Sequence, residues 1–254
     1  MLEFRTSPNH RRIEPVESIA GLRILLTDAC SGVGRATAAL LASRGARLLL
    51  VGRRGDRLVP LSEELGRVGA QVHWCRCDIA ALGDVDQLTD WVLREFGSVD
   101  VLINNAGRPL CRPLAQSVDR FRDYQRTMAA EYFGPLRLTL GLLPAMLAAG
   151  SGQVINVAPE NTGPTPNFAP YMSAQAAWTA FAECAAAELS AQGVQVTSVR
   201  YAGVSAAEEP DFGFDAETVA RKVAAVIQVR QLRQEARMPP EAARAGVRLS
   251  RAFG

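Results

Sequence analysis

Short apolar runs alternate with longer amphipathic stretches along most of this chain. The apolar runs predict six strands, at LRILLT (22–27), ARLLLV (46–51), VHWCRC (72–77), VDVLIN (99–104), QVINVA (153–158) and VQVTSV (194–199). The stretches between them predict helices over residues 34–43, 57–68, 84–96, 119–149 and 171–191, with a last helix near 216–228. We expect Pro135 and Pro144 to bend the long fourth helix, because proline has no amide hydrogen to donate.

The predicted strands are nearly continuous apolar runs, which is typical of parallel strands that helices cover on both faces. Regular alternation of strand and helix predicts an α/β fold with one doubly wound parallel sheet and right-handed crossovers. Ligands of such sheets bind outside the carboxyl ends of the strands. We therefore expect functional side chains just after residues 27, 51, 77, 104 and 158.

Composition fits one globular domain flanked by two polar segments. The 254 residues are 48% apolar and carry a net charge of +2, which points to no nucleic-acid partner. We assign residues 1–20 to an N-terminal extension, 21–229 to the α/β domain and 230–254 to an arginine-rich tail. The tail arginines, from Arg230 to Arg251, predict a solvated helical face rather than a phosphate-binding patch.

The cysteines and histidines do not predict a metal site or a disulfide framework. The five cysteines are scattered, and the only histidines are His10 and His73. The first residues, MLEFRTSPNHRR, contain no apolar run, and the most apolar stretch, 138–149, is too short to span a bilayer. These features predict a cytoplasmic protein without a membrane span.

A glycine-containing turn follows the first predicted strand. The sequence there is TDACSGVG, and glycines between a strand and a helix let the backbone approach a pyrophosphate at the helix N-terminus. The residues predicted to hold these phosphates are Thr27, Asp28, Ser31, Gly32, Val33 and Gly34. Arg53 and Arg54 follow the second strand, where an acidic residue would bind a ribose hydroxyl and an arginine suits a 2′-phosphate. The pair favours NADP(H) over NAD(H); the alternative is a solvated pair of arginines.

Further segments resemble the short-chain dehydrogenase/reductase family over residues 22–203. NNAG (104–107) follows the fourth strand, Asp78 follows the third, and Tyr171 lies about 65 residues beyond NNAG. EYFGPLRLT, INV and YMSAQAA are also similar to that family in register. The segments RFRDYQRTMAAEYFGPLRL and NFAPY look most like its actinobacterial fatty-acyl reductases.

This resemblance implies a Rossmann-type three-layer α/β/α fold and a nicotinamide oxidoreductase. It adds Asp78, Ile79, Asn105, Ala106 and Gly107 to the residues expected at the cofactor. It also implies a lipid-like small-molecule substrate and a homodimer formed through helices 119–149 and 171–191.

The catalytic positions that the resemblance identifies are mostly replaced. The family uses a tyrosine as acid or base, a lysine four residues later that lowers the tyrosine pKa, a serine for the substrate carbonyl and an asparagine in the long helix. Here Tyr171 is retained, but Gln175 stands for the lysine and Glu131 for the asparagine. The serine falls at Ala158 or Pro159, neither of which carries a hydroxyl. A free tyrosine, with a pKa of about 10, is a poor base at neutral pH.

Two other departures concern the ligands. Asp28 replaces the first glycine of the cofactor motif, and a carboxylate near a phosphate weakens binding unless an arginine such as Arg35, Arg53 or Arg54 pairs with it. Together with Gln175, Asp28 puts cofactor binding itself in question. After the sixth strand, Ala202 replaces a proline that the family usually has there, and the following loop is short and acidic.

Three hypotheses follow from this pattern. The first is an NAD(P)-dependent oxidoreductase with weakened catalysis. The second, which we favour, is a nucleotide- or partner-binding member with little or no reductase activity, a pseudoenzyme that could support an active relative in a mixed oligomer. The third is a non-redox enzyme that uses Glu131 and Tyr171 as an acid/base pair; the alternative for Glu131 is a salt bridge to a nearby arginine.

Overall fold

The computed structural model describes residues 19–105, 107, 109–160, 165–201 and 215–237, with side chains described as far as Arg230. Six parallel strands form one sheet in the order β3-β2-β1-β4-β5-β6. They are β1 (Arg23–Leu26), β2 (Arg47–Gly52), β3 (Gln71–Arg76), β4 (Val101–Asn104), β5 (Gly152–Pro159) and β6 (Val194–Tyr201). The chain order along the sheet reverses between β1 and β4, which is where such sheets bind ligands.

Seven α-helices connect these strands in the described part of the chain. They are α1 (Gly32–Ser43), α2 (Gly55–Arg67), α3 (Leu82–Phe96), α4 (Phe121–Met128), α5 (Gly134–Ala148), α6 (Ala169–Leu189) and α7 (Ala216–Arg237). Two 3-10 turns, Leu114–Gln116 and Ser190–Gln192, and a π-helical turn, Ala129–Phe133, complete the secondary structure described here. The predicted single doubly wound parallel sheet is confirmed.

The sheet is buried because successive strand residues point to opposite faces and both faces carry helices. In β1, Leu26 faces the core that α1, α2 and α7 complete. Its neighbour Leu25 faces the core completed by α3, α5 and α6, where it packs with Leu102 and Trp178. Each fully buried side chain of this kind contributes about 1.5–3 kcal/mol.

Two expectations about exposure are wrong. Strand β3, at an edge of the sheet, is only partly covered: none of its residues is fully buried, and Trp74 is 41% exposed. Helix α7 extends to Arg237, and Arg230, expected on a solvated face, is only 1% exposed. Its guanidinium donates to Ser151 Oγ at 2.8 Å, because α7 packs against the sheet as far as this residue.

The predicted helix over residues 119–149 is interrupted before Pro135 and Pro144, not at these prolines. A π-helical turn over Ala129–Phe133 separates α4 from α5. Pro135 lies in the first turn of α5, and a proline ring clashes with the carbonyl four residues earlier, which here belongs to Glu131. A widened turn at Glu131 relieves that clash, and π turns of this kind often occur at functional sites.

Among the described residues, none of the helices combines the length and apolarity that crossing a bilayer requires. The predicted N-terminal extension up to residue 18, the loop after Tyr201 as far as residue 214, and the tail beyond Arg237 lie outside the described residues.

Candidate active site

The loop between β1 and α1 has the backbone shape expected of a phosphate-binding turn. Asp28 adopts a left-handed conformation with φ +47°, which favours glycine but which aspartate also tolerates. The carbonyl oxygen of Asp28 accepts hydrogen bonds from the amide and the hydroxyl of Ser31, at 3.0 and 2.9 Å. Replacement of the expected glycine by Asp28 therefore leaves the loop folded.

The N-terminus of α1 is open to an anion. Ser31 caps the helix by accepting a hydrogen bond from the Gly34 amide at 3.0 Å. A Cβ on Gly34 would overlap the Asp28 carbonyl oxygen, so only glycine lets the helix pack so closely on the loop. A Cβ on Gly32 would meet nothing within 4 Å, and the first turn contains no acidic residue. A phosphate group would be stabilised here.

Asn105 connects this loop to the end of β4. Its amide donates to Thr27 Oγ1 at 2.9 Å, and its side-chain amide donates to Ser31 Oγ at 3.1 Å. The side chain predicted to hold the cofactor therefore also holds the cofactor loop in shape, at the point where the strand order reverses. Ala106, its predicted neighbour in the site, lies outside the described residues.

The other predicted cofactor residues lie at neighbouring strand ends. Arg53 and Arg54 are exposed after β2, while Arg35 binds Glu64 at 2.7 Å. Asp78 accepts a hydrogen bond from the Ala80 amide at 3.1 Å. The carbonyl oxygen of Ile79 lies against the start of α5, so close that a Cβ on Gly134 would overlap it.

Three of the predicted catalytic positions come together above the sheet. Glu131, in the π turn, is 6% exposed, and Tyr171, in the first turn of α6, is 1% exposed. The Gln175 side-chain amide, one turn beyond Tyr171, donates to Glu131 Oε2 at 3.3 Å. A Cβ built on Gly107 would lie 3.3 Å from Glu131 Oε2 and 3.4 Å from the Tyr171 hydroxyl. The NNAG turn thus borders both side chains.

Comparison with known proteins places this fold and site in a family. Residues 23–210 match the family model described as short chain dehydrogenase. The chain belongs to this family. A fatty acyl-CoA reductase of Acinetobacter baylyi is 37% identical over 186 residues, 72% of this chain and 62% of that protein. A fatty acyl-CoA reductase of Mycobacterium tuberculosis is 37% identical over 195 residues, 76% of this chain and 66% of that protein. The chain spans slightly less than two thirds of the length of these relatives.

Solved structures of the family have a similar fold to this chain. A metagenomic short-chain oxidoreductase in complex with NADP has a TM-score of 0.75 at 27% identity, covering 83% of this chain and 92% of that one. L-sorbose reductase from Gluconobacter frateurii, complexed with NADPH and L-sorbose, has a TM-score of 0.67 at 29% identity, covering 71% and 69% of the two chains.

The environment of Tyr171 in this chain opposes ionisation of the phenol. Burial and the negative charge of Glu131 raise the pKa of the Tyr171 phenol, and a hydrogen bond from Gln175 only partly opposes them. A catalytic base at neutral pH needs the reverse, a pKa close to the working pH. Tyr171 is therefore a neutral phenol, able to donate a hydrogen bond but unsuited to accept a proton.

Tyr201 is a member of the site that sequence reasoning missed. It ends β6, opposite Pro159 in the register of β5 and β6, and its hydroxyl is hydrogen-bonded to that of Tyr171. Burial and then Glu131 raise the pKa of Tyr201 to about 12. Ligands of parallel sheets bind at the carboxyl ends of the strands, and Tyr201 lies at such an end. The same rule, applied to the sixth strand, predicts Tyr201 as a site residue.

The two residues predicted to stand at the position of the family's serine are apolar. Ala158 and Pro159 are buried at the end of β5. Beside them lies a cavity of about 490 Å³ whose lining includes Pro159, Glu160, Met172, Gln175, Thr179 and Arg200. Gln175 lines this cavity, so the cavity borders the site.

Among the described residues, neither the single lysine of the chain nor a cluster of metal-ligating side chains contributes to the site. Lys222, the only lysine of the chain, donates to the Arg200 carbonyl oxygen at 3.2 Å from α7. Within the described ranges, no three His, Cys, Asp or Glu side chains cluster closely enough to hold a metal ion.

Proposed function

We propose that this short chain dehydrogenase binds NADP(H) in preference to NAD(H) and that its carbonyl reductase chemistry is weak or lost. The observation that carries the proposal is the pairing of Gln175 with Glu131 beside Tyr171. A neutral amide and a carboxylate occupy the place where the family's pattern has a lysine and an asparagine.

The residues present fit the phosphate end of a dinucleotide. The N-terminus of α1 has no acidic residue in its first turn and offers open space at Gly32. Exposed Arg53 and Arg54 suit a 2′-phosphate, which Arg can bind through two parallel hydrogen bonds. The carboxylate of Asp28 reduces the affinity for phosphate without preventing the loop from forming.

The catalytic residues fit the reaction poorly. A bound nicotinamide would supply the hydride of a carbonyl reduction. The protein would have to donate a proton to the substrate oxygen and stabilise the negative charge that develops there. Tyr171 can donate a hydrogen bond to that oxygen. The charge of Glu131 opposes the developing charge, and Gln175 brings no positive charge to offset it.

We also propose a lipid-like substrate or ligand for the cavity beside Gln175. The support is the similarity to two fatty acyl-CoA reductases and the apolar wall that Met172, Ala176 and Ala180 contribute to the cavity. Glu160, Glu183 and Arg200 give the cavity polar positions as well.

The central experiment separates binding from turnover. NADPH is titrated by fluorescence, and reduction of a long-chain acyl-CoA and a long-chain aldehyde is then assayed with the same protein. Micromolar binding without measurable turnover is expected. Turnover near about 1 s⁻¹, within the ordinary range of enzymes, would show that the replaced residues are dispensable.

The preference for NADP(H) over NAD(H) is tested by substituting the two arginines that follow β2. Replacing both Arg53 and Arg54 by alanine is expected to weaken NADPH binding by about tenfold or more while leaving NADH binding unchanged, because only NADPH carries the 2′-phosphate. The matched control is Arg67→Ala, which removes an exposed arginine of α2 that pairs with Glu63. Equal loss of both nucleotides in the double variant would contradict the NADP(H) preference.

A non-redox acid/base reaction is the second candidate. The Glu131 carboxylate and the Tyr171 hydroxyl both lie close to Gly107, so one substrate group could meet a carboxylate and a neutral phenol together. Such an activity would require Glu131 and would disappear in the Glu131→Gln variant with no nucleotide added. An isomerase or hydratase activity that survives this substitution would show that Glu131 and Tyr171 are not the acid/base pair.

We propose that the chain forms a homodimer through α6 and through residues 119–149, which contain α4, the π turn and α5. Exposed small side chains recur every three or four residues on the outer face of α6, at Ser173, Ala176, Ala180, Cys184 and Ala187. Small residues allow helices to approach closely, and exposed Phe121, Phe133 and Leu140 add apolar surface on α4, the π turn and α5.

The dimer is tested by introducing one large, charged side chain on the outer face of α6. Ala187→Arg, at an exposed position of α6 outside the cavity lining, is expected to convert the dimer to a monomer, measured by light scattering after size-exclusion chromatography. Ala225→Arg, at an exposed position of α7, is the control and should leave the mass unchanged. A monomeric wild-type protein at high concentration would contradict the proposal.

A further inference from the structure

Exposed apolar side chains are concentrated in one short segment of this chain. Among the described residues, the large apolar side chains with the greatest exposure are Val118 at 86%, Val68 at 74%, Phe121 at 70% and Leu114 at 66%. Three of them lie close together, between β4 and the first turn of α4, whereas Val68 stands alone directly after α2. A single apolar residue at the surface is ordinary, but a group of them marks a surface that binds a partner.

The segment that carries this group is fixed to the rest of the domain. Arg112 forms an ion pair with Asp123 of α4 at 3.1 Å, and its amide donates to the Asn167 carbonyl oxygen at 2.6 Å. Ser117 is buried, and its hydroxyl donates to the Pro113 carbonyl oxygen at 3.1 Å. The apolar side chains are therefore held outward by a folded backbone whose inward-facing residue is Ser117.

The backbone between β4 and α4 advances in tight turns. Four amides each donate to the carbonyl oxygen three residues earlier, at 2.9–3.0 Å; they belong to Gln116, Ser117, Arg120 and Asp123. Residues three or four apart along such turns lie on the same side. Leu114, Val118 and Phe121 have these spacings, so we expect them to form one surface, the apolar patch.

The charge around the apolar patch is positive. Three arginines of this segment and of α4 are exposed, and the ion pairs of the described residues include none of them: Arg120, Arg122 and Arg126. Of the two carboxylates between residues 109 and 128, Asp119 is exposed and Asp123 is paired with Arg112. Arginines beside large apolar side chains are typical of surfaces that bind anionic lipid head groups while the apolar side chains enter the bilayer.

We propose that the apolar patch and its three arginines dock this short chain dehydrogenase on an anionic lipid bilayer. The charge favours a bilayer over a second copy of the chain. A second copy seated on the patch through a two-fold axis would bring the same arginines together, whereas anionic head groups neutralise them. The inference goes beyond the proposed function and does not require nucleotide binding. A lipid-like ligand of the cavity beside Gln175 would be available at such a surface.

The experiment measures sedimentation of the full chain with lipid vesicles. One set of vesicles consists of phosphatidylcholine alone, and the other of phosphatidylcholine mixed with phosphatidylglycerol. We expect binding to the anionic vesicles to be at least about tenfold tighter, and the difference to shrink as salt is added, because salt screens exposed charges.

Two double variants separate the apolar and the charged contributions. Leu114→Ser with Val118→Ser is expected to weaken binding to anionic vesicles by about tenfold or more, because two apolar side chains no longer enter the bilayer. Both positions precede the residues proposed for the dimer, and Phe121 is left unchanged. The matched control is Val68→Ser, which removes an equally exposed apolar side chain elsewhere and should leave binding unchanged.

Arg120→Gln with Arg122→Gln should weaken binding to anionic vesicles and reduce its dependence on salt, since fewer cations meet the head groups. Arg67→Gln, at an exposed arginine of α2, is the control for this pair. Thermal melting of every variant shows whether the fold is intact.

The outcomes distinguish this inference from the proposed function and from the dimer. A wild-type chain that binds neither kind of vesicle, or binds both equally, overturns the proposal, whatever the NADPH titration shows. If Leu114→Ser with Val118→Ser changes the mass in light scattering but not the binding to vesicles, the patch belongs to a second copy and the proposal is overturned. Loss of vesicle binding in this variant but not in Val68→Ser supports it.

Discussion

The triple variant Glu131→Asn, Gln175→Lys and Ala158→Ser is expected to gain at least about 100-fold in NADPH-dependent reduction of a long-chain aldehyde or acyl-CoA. A correctly positioned acid/base group usually contributes a rate factor of about 10²–10⁴. The variant supplies a cation one helical turn from Tyr171 and a hydroxyl at the end of β5, and it removes the carboxylate that raises the pKa of Tyr171.

The contact between Gln175 and Glu131 predicts that the two substitutions have a larger effect together than the single effects suggest. Gln175 already donates to Glu131 at 3.3 Å, so a lysine at that position would form an ion pair with Glu131 instead of acting on Tyr171. Gln175→Lys alone should therefore raise activity little, and Glu131→Asn alone should also have a small effect. Their combination should exceed the product of the single effects, as expected for residues in contact.

Two further variants make this result interpretable. Pro159→Ser in place of Ala158→Ser tests which of the two positions faces the substrate, since neighbouring strand residues point to opposite faces. Tyr171→Phe in the triple background should abolish the gain, because the phenol is the group being activated. A triple variant that binds NADPH but shows no gain would mean that these residues are not the reason for weak activity.

Gly134→Ala is expected to destabilise the chain by about 3 kcal/mol, at the upper end for an overpacked site. A Cβ there would overlap the carbonyl oxygen of Ile79 and lie 3.0 Å from that of Ala129, and backbone atoms cannot move aside cheaply. For a chain of this size the melting temperature should fall by about 10 °C. The measurement is reversible thermal or urea unfolding followed by circular dichroism.

The control for this substitution is another helical glycine with open space around it. A Cβ on Gly66, near the end of α2, would meet nothing within 4 Å. Gly66→Ala should leave stability unchanged or raise it by about 0.5–1 kcal/mol, as alanine favours the helix. If the two variants unfolded alike, the close approach of α5 to Ile79 would not be an important constraint.

Gly134→Ala should also affect the site, since Gly134 directly follows the π turn that contains Glu131. A shift of α5 away from Ile79 would move Glu131 relative to Tyr171.

Much of the fold follows from local sequence. Buried strands such as β1 and β4 each contain three consecutive apolar residues, and glycines mark the turn before α1, so element type and order could be predicted. The π turn could not, because it results from the competition of Pro135 with the Glu131 carbonyl inside a helix whose pattern is otherwise continuous. The burial of Arg230 also depended on where α7 packs, which periodicity does not show.

Residue type and spacing along the chain were enough to predict the family, which is confirmed. The replacement of a catalytic lysine, serine and asparagine is a prediction from the same spacing. Only the tertiary structure decided which of these side chains lie together. It brought Glu131 from the π turn, Tyr171 and Gln175 from α6, and Tyr201 from β6 to one buried place. Their effect depends on charge at short range in a poorly screened interior, and such distances between remote segments are set by packing.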